Sequence, residues 1–112
     1  MTQRATMLAG HEGHQIAAST EGPENGFPVV LAHGGGQTRR SWLVVSQLLA
    51  RHGFRSIAID LRGHGDSAWA EDGAYDIRDF ASDLVAIASA QARRPALIGA
   101  SPSGSFRLQS HL

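Results

Sequence analysis

The chain has 112 residues, with ten arginines against ten acidic residues, no lysine and no cysteine. That length allows at most one modest domain, and a net charge of zero offers neither nucleic acid nor an anionic membrane the basic face that each rewards. Without cysteine there is no disulfide, thiolate nucleophile or Cys-ligated metal, and no stretch reaches the ~20 apolar residues of a membrane span.

Residues 1 to 16 carry Arg4, His11, Glu12 and His14 and lack the apolar core of a signal peptide, so a cytoplasmic protein is expected. Ala5 to Leu8 and Gln15 to Ser19 read as short strands around a Gly/His turn. His11 and His14 lie three apart, but the neighbouring Gly10 and Gly13 argue for a surface loop rather than a helix that presents two metal ligands. Glu21 to Gly26 is a polar loop. Phe27 to Ala32 follows, and its consecutive Val29, Val30 and Leu31 suit a strand buried on both faces of a parallel sheet. Gly34, Gly35 and Gly36 break it.

Ser41 to Arg51 reads as a helix, with Trp42, Val45, Leu48 and Leu49 at helical spacing and Gly53 where a C-terminal cap belongs. Phe54 to Ile59 is a second buried strand, ending at Asp60, and a turn-rich loop runs from Arg62 to Tyr75. Asp76 caps the next helix. Its Ile77, Phe80, Ala81, Leu84, Ile87 and Ala88 make one apolar face, with Arg78, Asp79 and Asp83 expected in solvent. Arg93, Arg94 and Pro95 end it, and Ala96 to Ala100 is the third buried strand. Apolar strands alternating with amphipathic helices predict an α/β fold, with a mostly parallel sheet and crossover helices.

Three turn motifs follow the three strands, at the ends where open α/β sheets place their crevice. They are His33-Gly34-Gly35-Gly36, Asp60-Leu61-Arg62-Gly63-His64-Gly65-Asp66-Ser67 and Gly99-Ala100-Ser101. Together, in this order, they resemble the α/β-hydrolase fold family over roughly residues 13 to 104. The resemblance implies the N-terminal part of an α/β-hydrolase, a single partial domain over 1–112. A dinucleotide site is the rival for the glycine turn, with Asp60 as its acidic residue, but Arg39 stands where the third glycine of that fingerprint belongs.

By resemblance, Ser101 is the nucleophile on a strand-to-helix elbow, and the Gly35 N–H belongs to the oxyanion hole, where donors meet the charge that develops in acyl transfer. His33, Gly34, Asp60, Arg62, Gly63, His64, Gly65 and Gly99 are motif residues with structural roles. His64 and Asp66 in particular are expected to shape their loop by turn hydrogen bonds. The elbow departs from its pattern. Ser103 replaces the second glycine of G-x-S-x-G. Pro102 removes the N–H that the residue after the nucleophile contributes, and it restricts Ser101 itself.

The family's triad runs Ser, then Asp or Glu, then His. After Ser101 there is no acid, and the only histidine is His111. Ser105 to Leu112 lacks the stripe of a buried helix, which suggests a premature end, through a change of reading frame near residue 102. The strand Ala96–Ala100 would then be a bare apolar edge and a route to self-association. The implied activity is hydrolysis of an ester or related bond in a small-molecule substrate, without cofactor or metal. The alternatives are an inactive hydrolase fragment or interaction module, and a nucleotide-binding domain. The family also includes lyases, dehalogenases and cofactor-free peroxidases, so the motifs leave reaction type and substrate open.

Overall fold

A computed structural model describes residues 3–100 and 106–109. Its strands are β1 (Arg4–Ala9), β2 (Gln15–Glu21), β3 (Pro28–Ala32), β4 (Arg55–Ile59), β5 (Ala96–Ala100) and β6 (Phe106–Gln109), with helices α1 (Leu43–Arg51) and α2 (Ile77–Ser89). The described strands form one sheet in the order β1-β2-β4-β3-β5-β6. β3 is central and runs parallel to both β4 and β5. Each parallel step is bridged by a helix, α1 between β3 and β4 and α2 between β4 and β5, as a parallel connection requires.

The apolar run of β3 is buried along its whole length, and alternation divides it between two cores. Val30 and Ala32 join Ile16, Ala18, Ile57, Ile59 and Leu97 on the α2 side, together with Ile87. Val29 and Leu31 join Ala58 and Trp42 on the α1 side. Each such large aliphatic side chain contributes about 1.5–3 kcal/mol when fully buried, so the two-sided sheet is where this short chain concentrates its stability.

The first helical region divides in two. Arg39–Trp42 is a 3₁₀ turn that starts at Thr38, whose side chain accepts the Arg40 N–H, and the α-helix begins at Leu43. Val45 and Leu49 pack inward beside Trp42. Leu48, expected on that face, is half exposed, because the inward face runs through Ser46 and Ala50 instead. Gly53 follows the helix at φ +85°, the left-handed position a C-terminal cap favours. Asp76 caps α2 with a reciprocal box, in which its carboxylate accepts from the Asp79 amide and the Asp79 side chain accepts from the Asp76 amide.

Two expectations for α2 are corrected. Ile77, placed on the apolar face, is 82% exposed, and Asp83, placed in solvent, is 2% exposed. The helix is rotated so that Asp83 and Ile87, one turn apart, face inward, where Asp83 meets a buried arginine described below. A third correction concerns the sheet edge. β6 pairs antiparallel with β5, with Ile98 opposite Leu108, so β5 is not bare and the outer strands are β1 and β6. No described helix is long and apolar enough to cross a membrane.

Candidate active site

Strand register brings the three motifs to one edge. Ala32 of β3 pairs with Ile59 of β4 and with Gly99 of β5. His33 and Asp60 therefore leave the sheet beside Ala100, the last residue of β5, at its carboxyl end. The Gly34–Gly36 turn thus rises between the 60–67 loop and the end of β5. Gly99 lies in β5, and the expected nucleophile Ser101, with Pro102 and Ser103, falls outside the described residues.

Asp60 is fully buried and organises the loop. Its carboxylate accepts the Arg39 amide at 2.6 Å, the Asp66 amide at 2.9 Å and the Arg39 guanidinium. Burial would raise its carboxyl, but those two amides and the guanidinium outweigh it and hold Asp60 below the usual aspartate value. Arg39 also donates to Ser19 at 2.8 Å and to Asp66 at 3.0 Å. Ser67 Oγ donates to the Asp60 carbonyl at 2.5 Å and accepts the Ala17 amide at 2.8 Å, which ties the loop to β2. Gly65, at φ +50°, passes so close to the Asp60 carboxylate that a Cβ would collide with it. Fully buried and engaged by Arg39 and Asp66, the Asp60 carboxylate is not presented to the ribose of a dinucleotide.

Two histidines clasp the turns together. His33, 3% exposed, donates from Nδ1 to the Gly34 carbonyl at 2.7 Å and accepts the Leu61 amide on Nε2 at 2.9 Å. This pattern requires the neutral ring. Burial, the largest effect, and the nearby His64 pull His33 below the usual histidine value, against the Gly34 bond and the Asp60 charge. His64 mirrors it, donating from Nδ1 to the Arg62 carbonyl at 3.1 Å and accepting the Gly36 amide on Nε2 at 3.4 Å. The two rings lie 5.0 Å apart, and Phe80 sets its edge against His64. His64 and Asp66 thus both hold the loop through hydrogen bonds.

The glycine turn keeps one donor open. The Gly34 N–H goes to Gln37 Oε1 at 3.1 Å and the Gly36 N–H to His64. The Gly35 N–H has no partner among the described residues, and a Cβ at Gly35 would meet nothing within 4 Å.

Arg62 carries the contact that sequence reasoning missed. Its guanidinium grips Asp83 with two bonds, Nε to Oδ2 at 2.7 Å and Nη2 to Oδ1 at 2.8 Å, and Nη1 donates to the Ala74 carbonyl at 3.0 Å. The Asp83 hydrogen bonds come first among the influences that raise the Arg62 pKa. Asp83 also accepts the His11 amide at 2.9 Å. One signal was available, since Asp83 lies three residues after Phe80 and four before Ile87, on the inward stripe, and a carboxylate there needs a cation. Gly63, at φ +74°, lies where a Cβ would stand 2.6 Å from the Tyr75 ring. His14, just before β2, donates to the Ala68 carbonyl at 2.8 Å.

The family model described as "Alpha/beta hydrolase family" matches residues 29–108. A non-heme chloroperoxidase of Streptomyces lividans is 36% identical over 94 residues, covering 83% of this chain and 34% of the relative. A soluble epoxide hydrolase of Corynebacterium sp. (strain C12) is 37% identical over 84 residues, 75% of this chain and 27% of the relative. Among solved structures, an epoxide hydrolase from Vigna radiata superposes with a TM-score of 0.81 at 25% identity, covering 91% of this chain and 32% of that one. The chain thus spans about a third of the length of the proteins it matches.

Proposed function

The chain belongs to the α/β hydrolase family, and from that premise we propose that it is the N-terminal part of a hydrolase that cleaves an ester or related bond in a small molecule through a serine acyl-enzyme. Ser101 attacks the carbonyl carbon and the Gly35 N–H receives the oxyanion. The observation that carries this reading is the open Gly35 donor, held at the carboxyl edge of the sheet where β5 leads into Ser101. A donor fixed before the charge appears stabilises the transition state without reorganisation.

No acid follows Ser101, His111 is the only histidine after it, and Pro102 has no N–H to offer as the second oxyanion donor. Loss of one such donor costs about 10²–10³ in turnover, and an unactivated serine is a weak nucleophile. Pro102 favours a second reading, in which this chain is catalytically inert and acts as an interaction module. Self-association would then run through the outer strands β1 and β6, since β5 is paired on both sides. On either reading a cytoplasmic location is proposed.

A p-nitrophenyl ester assay of the chain, with Ser101→Ala as control, separates the two. Turnover that disappears in Ser101→Ala supports the serine hydrolase. Absence of turnover above buffer leaves the inert reading.

A further inference from the structure

We infer that Gln37 and His64 are positioning residues that select the Gly35 N–H as the open donor of the glycine turn, an inference that rests on reading this turn as the oxyanion site. Three consecutive glycines carry no side chains to fix their backbone, and glycine pays more conformational entropy on ordering than any other residue. A preorganised donor therefore needs restraint from outside the triplet.

The structure supplies that restraint on both sides of Gly35. Gln37 reaches back so that Oε1 accepts the Gly34 N–H at 3.1 Å, while its own amide donates to the Gly34 carbonyl at 3.2 Å. His33 Nδ1 donates to that same carbonyl. On the far side, His64 Nε2 accepts the Gly36 N–H. Its ring is fixed by Nδ1 on the Arg62 carbonyl and by Phe80. The flanking amides are thus engaged, and the amide between them is not. One clamp arises within the turn and the other from the 60–67 loop, so the aim of the donor is coupled to the neighbouring motif. Gln37 itself is exposed and its described hydrogen bonds all return to Gly34, which suits a residue whose task is that turn.

Amide exchange with solvent, followed by NMR on the whole chain, tests this. Gly34 and Gly36 should exchange more slowly than Gly35, by roughly fivefold for a bond of ordinary strength. Gln37→Ala should raise Gly34 to the Gly35 rate, and Gln37→Glu, which keeps an acceptor oxygen, should restore the slower rate. The ¹⁵N spectrum of His64 should show Nδ1 protonated and Nε2 bare. Gly34 exchange that ignores Gln37→Ala, a protected Gly35 amide, or the opposite His64 tautomer would each overturn the inference. Methylphosphonate, a tetrahedral anion, should move the Gly35 amide resonance more than its neighbours. If the exchange pattern holds and methylphosphonate moves nothing, the oxyanion reading fails and the positioning stands.

Discussion

The Leu61 amide donates to Nε2 of His33 at 2.9 Å, so a histidine at the end of β3 holds the backbone of the loop that follows β4. The bond exists only while that nitrogen keeps its lone pair. Protonation would set one N–H against another inside a buried pocket.

That geometry dictates a pH dependence. Burial lowers the His33 pKa in the folded chain, so the unfolded chain binds more protons just below the ordinary histidine value. Stability from this site is complete above about pH 6.5 and declines as pH falls from there through the folded value. Urea midpoints measured from pH 7.5 to 5.5 should fall with acidity. His33→Gln, which keeps an acceptor without titrating, should flatten the decline, and an unchanged slope in this variant would refute the assignment.

Asp60 acts further down the pH scale. Its carboxyl is held low despite burial by the Arg39 and Asp66 amides and the Arg39 guanidinium. Its contribution is therefore present above about pH 3.9 and is lost as pH falls through the lower folded value. Arg39→Gln removes the guanidinium and should move acid unfolding to higher pH. Circular dichroism against pH reads that shift.

The Arg62–Asp83 pair predicts a larger loss. Asp83→Asn leaves a buried guanidinium without its countercharge, which costs about 3–5 kcal/mol. Arg62→Lys should recover little, because an ammonium cannot make the two-point grip of the planar fork. Urea unfolding of the two variants gives both numbers, and a loss below about 1 kcal/mol in Asp83→Asn, the range of an exposed pair, would contradict the burial.

Gly65 and Gly35 should respond unequally to alanine. Gly65 combines a positive φ with a Cβ position 2.6 Å from Asp60 Oδ1, so Gly65→Ala should cost at least the ~1–3 kcal/mol of a strained backbone position. Gly35→Ala meets open space and should stay within about 1 kcal/mol of the wild type. Thermal unfolding of both variants makes the comparison.

Much of this was legible because it depends on local chemistry. The apolar run of Val29 to Leu31 announced a strand buried on both faces, Asp76 announced the start of α2, and the glycines at 34–36, 63 and 65 announced turns. Ile77 and Asp83 were misplaced for one shared reason. Helical periodicity ranks residues by hydrophobicity, while the inward direction of α2 is set partly by Arg62, fifteen or more positions away in the chain. Leu48 was misplaced similarly, since the 3₁₀ turn ahead of α1 changes which residues face the sheet.

By itself, the sequence determined the order of the elements from β1 to β5, the three turn motifs and therefore the family, because hydrophobic period, capping and turn preference act over a few neighbouring residues. Tertiary structure alone decided which groups face one another: His33 on Leu61, His64 on Gly36, Arg62 on Asp83, and β6 on β5. Those pairings follow from sheet register and from the need of buried polar groups for partners, and both operate between residues that the chain itself keeps far apart.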